Sequence, residues 1–257
     1  MVRLANPESN ARIDNPGASS GTHVFHRARS FLGHIFGWFL VLPLTSKFVR
    51  AAGKLRSTEE AVDFLTSFRF LGLSMAPWQD RLELTWLLKI LEELKAGVIM
   101  EIGTAKGGTL FLFTRASEDD ALIISLDLPG GLFGGGYPAW MSYLFRSFGR
   151  DHQTIHLVRG DSHSLDAVNE VRGALKGRKI DFLFIDGDHT YEGVKRDFET
   201  YSPFVRKGGI VAFHDICASG EGVGVQRFWE EIRQIYQTKV FVNEHSVEKF
   251  GIGVLSL

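Results

Sequence analysis

Five places in this chain put a carboxylate, in one case paired with an imidazole, at or just past the end of an apolar run: Glu101, Asp127, Asp161, Asp186 and His214-Asp215. Acids at the ends of buried strands can accept hydrogen bonds from the hydroxyl and amino groups of a ligand. Solvated strand ends favour polar residues in general, but this many acid-terminated runs would be an odd coincidence in a purely structural protein. The run Asp186-Gly-Asp-His-Thr-Tyr191 adds His189, whose imidazole titrates near neutral pH and can take a proton from a hydroxyl. His189 also reads as a residue at the start of the next helix that hydrogen-bonds locally. The first acid is followed by the spacing G-x-x-x-G-G at Gly103, Gly107 and Gly108. Glycines there let the chain turn sharply and let backbone approach a ligand. A helix over 108–116 would then aim its free N–H groups at an anionic group.

The elements that must position these residues alternate. Val98–Ile102, Leu122–Asp127, Ile155–Arg159, Ile180–Asp186 and Ile210–His214 are apolar enough to be strands covered on both faces. Helical spacing predicts helices near Ala139–Phe148, Ser164–Leu175, Glu192–Phe204 and Val225–Tyr236. Before the first of these strands, the capping box Ser57-Thr-Glu-Glu60 opens a helix carrying Ala61, Phe64, Leu65, Phe68 and Leu71. A second helix runs from about Gln79 to Lys95. Lys239–Asn243 and Gly251–Leu255 close the chain as an antiparallel pair. The expected fold is α/β, a doubly wound, mostly parallel seven-stranded sheet with an antiparallel C-terminal hairpin and an N-terminal helical extension. Ligands of such sheets bind at the carboxyl ends of the strands, where strand order reverses. The segment 130–136 (GGLFGGG) is expected to be a mobile loop.

Length and composition bound the possibilities. The 257 residues suit one α/β domain, over 57–257, plus an extension over 1–56. A net charge of −1 with no long run of one sign argues against a nucleic-acid partner. The single cysteine, Cys217, excludes an internal disulfide and fits a reducing cytoplasm. Met1 to Gly21 is rich in Asn, Pro, Ser and Gly and is expected to be poorly ordered. Phe31 to Leu44 is strongly apolar, but at 14 residues it is short of the roughly 20 that span a bilayer. Packing on the core or on a second subunit, hence a homo-oligomer, is favoured over weak membrane-surface contact through 31–44.

The motifs MEIGTAKGGT (100–109), SLDLPGG (125–131), RGDS (159–162), FIDGDHTYEGVKRDF (184–198) and KGGIVAFHD (207–215) resemble, in order, those of class I S-adenosylmethionine-dependent methyltransferases. The similarity is greatest to the small-molecule O-methyltransferases of sugar, macrolide and catechol type and to cephalosporin-hydroxylase-like proteins. It covers about two-thirds of the catalytic region. The resemblance implies S-adenosylmethionine as cofactor. Its methionine part would be held by Glu101, Gly103 and the backbone of Thr104, Ala105, Gly107 and Gly108. Asp127 would accept the ribose hydroxyls. Asp161, with Ser162 beside it, would meet the adenine amino group, although Asp161 is equally suited to cap the next helix. Asp186 would serve both cofactor and catalysis, with His189 as general base. A divalent metal, magnesium or manganese, would sit at Asp186 and Asp215. His214 stands where the catechol-type pattern has an acid, which leaves a softer ion or a substrate contact there. The loop 130–140, with Phe133, Tyr137 and Trp140, resembles a substrate lid.

The expected activity is therefore O-methylation of a hydroxyl on a small molecule, sugar- or polyol-like. Two rivals are a NAD-linked oxidoreductase on a similar fold and a non-catalytic cofactor-binding or assembly protein. The G-x-x-x-G-G spacing departs from the G-x-G-x-x-G fingerprint of dinucleotide binders.

Overall fold

The computed structural model describes residues 37–129, 136–218, 220, 222–246 and 249–257. The stretch Met1–Gly21, Phe133 and most of the 130–136 loop lie outside them. A seven-stranded sheet carries the fold, in the order β5-β4-β3-β6-β7-β9-β8. The strands are β3 (Val98–Ile102), β4 (Leu122–Asp127), β5 (Thr154–Arg159), β6 (Ile180–Ile185), β7 (Val205–His214), β8 (Thr238–Phe241) and β9 (Ile252–Ser256). The pairs β3–β4, β4–β5, β3–β6 and β6–β7 are parallel, while β9 runs antiparallel to both β7 and β8. The expected C-terminal pair forms, and its second strand is the one inserted next to β7. Strand order reverses between β3 and β6, so the crevice at their carboxyl ends is the natural ligand site.

Helices cover both faces. On one side α1 (37–52), α2 (Thr58–Ser67), α3 (Arg81–Leu94), α4 (Gly108–Ala116) and α5 (Met141–Arg146) pack on Ile99, Ile123, Phe182 and Phe184. On the other, α6 (Leu165–Leu175), α7 (Tyr191–Tyr201) and α8 (Val225–Ile232) pack on Met100, Ile124, Leu183 and Phe213. Every residue of β3 and β4 is buried, which is why those segments read as unbroken apolar runs rather than alternating ones.

Several boundaries differ from expectation. The first predicted helix stops at Ser67, and Arg69–Phe70 (β1) and Leu73–Ser74 (β2) form a small antiparallel hairpin instead. Leu71 and Gly72 both take positive φ (48° and 83°), a two-residue turn that overrides the helical spacing of Leu71. The helix expected to reach Phe204 breaks at Tyr201 into a 3-10 turn over Ser202–Phe204, where Pro203 removes a backbone donor. The helix of the apolar N-terminal segment runs past Pro43 to residue 52. It buries Val41, Leu44, Phe48 and Ala52, and the Phe48 ring lies 5.0–5.2 Å from Phe64, Phe68, Phe111 and Phe148. This part of the extension is thus built into the core.

Candidate active site

The carboxyl ends of β3, β4, β5, β6 and β7 meet in a cavity of about 470 Å³. Its walls include Gly103 to Lys106, Asp127, Asp161, Ser162, Asp186 to His189, His214 and Asp215. Nearly all of the residues expected to bind or react are thereby brought together.

The β3–α4 turn is shaped by neighbouring protein atoms. A Cβ on Gly103, at φ +93°, would run into the Asp186 carbonyl oxygen of the adjacent strand end. A Cβ on Gly108 would lie 2.6 Å from the Met75 carbonyl oxygen. These glycines let strand ends and loops close on one another, where a ligand had been expected as the reason. Thr104 and Ala105 have their N–H groups engaged: both donate to Asp127 Oδ2, at 3.1 and 2.7 Å. Asp127 is buried, which pushes its carboxyl up, with the Ala105 and Thr104 N–H groups opposing. It fixes the turn and lines the cavity at once.

Glu101 does not reach the cavity surface. It is fully buried beneath the start of α4, where Oε2 accepts the Thr109 hydroxyl at 2.9 Å. Oε1 takes no hydrogen bond among the described residues. Burial pushes this carboxyl up to about 8, against the pull of Thr104 and Thr109. Asp161 lines the cavity and accepts the His163 N–H at 2.9 Å, while the cap of α6 is Ser164. The two roles weighed for Asp161 therefore separate.

Two acids and two histidines interlock at the other end. His189 precedes the α7 cap Thr190, and its carbonyl accepts the Gly224 N–H at 2.8 Å. Its Nδ1 lies 3.0 Å from Asp215 Oδ2 and its Nε2 3.6 Å from Asp186 Oδ1. His214 Nδ1 lies 3.1 Å from Asp186 Oδ1 and 3.0 Å from Asp215 Oδ1. Asp215 takes the left-handed conformation (φ +62°) as the chain leaves β7. Burial opposes the charged form of each ring, but Asp186 and Asp215 outweigh it, and both imidazoles sit above their usual value. His189 was expected near its unperturbed pKa, and the two carboxylates move it. Burial would raise Asp186, yet His214 and His189 hold it below the usual carboxylate range. Asp215 is raised, mainly by burial and by Asp186. Asp186, His189 and Asp215 each offer one ligand atom, all within 4.8 Å of one another. His214, expected among the metal ligands, lies outside that group and turns its Nδ1 toward both acids.

Sequence reasoning missed part of the wall. Ala76, Pro77, Trp78 and Gln79, from the loop before α3, line the cavity. Gln79 Nε2 donates to Asp186 Oδ2 at 2.5 Å. Phe250, from the β8–β9 connection, also lines it and sits 5.8 Å from the His214 ring. The pairing Pro77-Trp78 beside an amide was the only available signal, and its partner lies 107 residues away. His163, just before α6, is mostly buried, with Nε2 3.2 Å from the buried Asp197. The lid residues Tyr137 and Trp140 point inward: Tyr137 packs 4.7 Å from Phe145 under the Arg159 guanidinium, and both side chains are buried away from the cavity.

Residues 100–216 match the methyltransferase domain family. The chain is 56% identical over 116 residues to an uncharacterized protein of Acanthamoeba polyphaga mimivirus, covering 45% of this chain and 50% of that one. It is 30% identical over 139 residues to tapetum-specific methyltransferase 1 of Arabidopsis thaliana, covering 53% of each. The chain spans between 18% and 53% of the length of the curated relatives it matches. The fold is similar to that of the Bacillus cereus O-methyltransferase in complex with SAH, with a TM-score of 0.55 at 16% identity, covering 82% of this chain and 96% of that one. The acid-terminated parallel sheet and its reversed strand order lie largely within the segment that is similar to the methyltransferase domain family, and the fold is the one shared with the solved O-methyltransferase.

Proposed function

We propose that the protein transfers a methyl group from S-adenosylmethionine to a hydroxyl of a small-molecule acceptor, sugar- or polyol-like, with His189 as general base. The observation that carries this reading is the His189 dyad: Asp215 Oδ2 at 3.0 Å from Nδ1, on the wall of a cavity whose far end carries Asp127 and Asp161. The donor set suits the cofactor. Asp127 and Asp161 can accept from a ribose diol and an adenine amino group, and apolar Leu126 and Leu128 line the same cavity and can cover the base. Ser162 adds a backbone donor beside Asp161, and the start of α4 offers N–H groups to a carboxylate.

When bound, S-adenosylmethionine supplies a methyl group already activated on a sulfonium. What remains for the chain is to orient the acceptor and take its proton. Asp215 holds the His189 ring with Nδ1 protonated, which leaves Nε2 to accept the proton, and the same carboxylate then stabilises the imidazolium. His214 helps to keep the Asp186 carboxylate ionised, and Gln79 donates to it and fixes it beside that nitrogen.

The convergence of Asp186, His189 and Asp215 favours a second reading, in which they hold a divalent cation that lowers the pKa of the acceptor hydroxyl. A set of two carboxylates and an imidazole suits manganese or another softer ion better than magnesium. His189 is then a ligand and no longer the base. Methyl transfer from labelled S-adenosylmethionine to a panel of polyols and glycosides, with and without chelator, tests both. The base reading predicts labelled ether product in either condition. Loss of transfer on chelation, restored by manganese, would replace it with the metal reading, and no transfer to any hydroxyl acceptor would contradict both.

A further inference from the structure

Helix α1 has two faces of different character. The inner one buries Val41, Leu44, Phe48 and Ala52. At 100° per residue, Trp38, Val49, Leu42 and Phe39 form one continuous strip on the outer side. All four are exposed, Phe39 by 75% and Leu42 by 58%. Arg50 and Lys54 run alongside this strip and, with Pro43, Ser46, Lys47 and Ala51, line a shallow hollow of about 380 Å³. Lys47 also donates to the Arg69 carbonyl oxygen at 3.2 Å.

The charge of the region is one-sided. Between residues 15 and 58 there is no Asp or Glu, against Arg27, Arg29, Lys47, Arg50, Lys54 and Arg56. Residues 59–257 carry 28 acids against 21 Lys and Arg. A near-neutral chain is thus divided into a basic N-terminal part and an acidic remainder.

We propose that the outer face of α1 docks on an anionic lipid surface, with the helix lying in the plane of the interface. Tryptophan and phenylalanine enter the boundary between headgroups and acyl chains, and neighbouring Lys and Arg meet acidic headgroups. Among the described residues no helix is long and apolar enough to cross a membrane. A symmetric pairing of two copies through the same patch would bring basic stripes together. An acidic bilayer complements them instead. Core packing and membrane contact, opposed as readings of the sequence, use opposite faces of one helix.

Flotation of the full-length chain tests this, with phosphatidylcholine vesicles compared with vesicles in which part of that lipid is replaced by phosphatidylglycerol. Binding is expected on the acidic vesicles only and should weaken as salt rises from about 0.1 M to about 1 M. Arg50→Gln with Lys54→Gln should weaken it roughly 25-fold, about fivefold per charge. Trp38→Ser with Phe39→Ser should weaken it more than about tenfold. Neither pair removes a buried side chain, and circular dichroism checks that both variants fold. Equal binding to neutral vesicles, unchanged binding by the Gln variant or absence of binding would overturn the proposal. Absence of binding together with a dimer in sedimentation velocity that the Ser variant dissolves would assign the face to a second copy.

Discussion

The two ends of the cavity are built differently. At the end formed by β4 and β5, Asp127 is held by two backbone N–H groups, and Asp161 by a turn onto His163, so main chain and local sequence do most of the work. At the end formed by β6 and β7, side chains from three separate segments hold one another: Gln79 before α3, Asp186 and His189 after β6, and His214-Asp215 at the end of β7. Backbone-braced acids stay in place when a neighbour changes. A ring of side chains depends most on its ionisable members, whose charges are set by one another. Binding should therefore fail gradually and catalysis abruptly.

His189→Ala has the largest expected effect: turnover should fall about 100- to 10,000-fold while S-adenosylmethionine affinity stays within about twofold. Parallel kinetics and calorimetry check this, and an equal loss in both would erase the distinction between the two ends. Asp127→Ala removes the acceptor of the Thr104 and Ala105 N–H groups along with the proposed ribose contact. Cofactor affinity should drop about 10- to 100-fold, as for loss of charged hydrogen bonds worth roughly 1.5–3 kcal/mol.

His163 sharpens the comparison, because it ties the β5–α6 loop to α7. Its Nε2 meets Asp197, Arg196 donates to its carbonyl at 3.0 Å, and Tyr201 donates to the Ser162 carbonyl at 2.7 Å. The hydrogen bond to Asp197 raises the pKa of the ring, with burial opposing and Asp161 assisting. A histidine raised in the folded state stabilises fully below its unfolded value, about 6.5, and loses that contribution as pH rises through the folded value. His163→Asn should therefore cost about 1–2 kcal/mol at acidic pH and less at alkaline pH, as read from urea midpoints. A loss independent of pH would show that the pair acts through packing alone. Gln79→Ala has the smallest expected effect, a loss of about 3- to 10-fold in kcat with the cofactor Kd unchanged.

What the sequence revealed follows the same division. Buried parallel strands read as apolar runs, and the acids at their ends stood out against those runs. Asp127, Asp161, Asp186 and Asp215 were legible for that reason, His189 by its place in the 186–191 run, and all five line the cavity. Glu101 has the same signature but points under α4, since a strand alternates faces and a motif does not say which one opens on the ligand. Gln79 and Phe250 were illegible because their roles arise from contacts across 107 and 36 residues of chain. Tyr137 and Trp140 looked like lid residues because of the adjoining glycines, but their rings gain more by joining Phe145 and the α1 side of the core. Leu71 kept helical spacing and still ended in a turn, where Gly72 decided the local geometry.

Calorimetric titration of the full chain with S-adenosylmethionine, and separately with NAD, tests the central claim most directly. Saturable binding of S-adenosylmethionine, weakened by Asp127→Ala and unaffected by His189→Ala, with no response to NAD, is the predicted result. Binding of NAD without S-adenosylmethionine, or of neither, would contradict it.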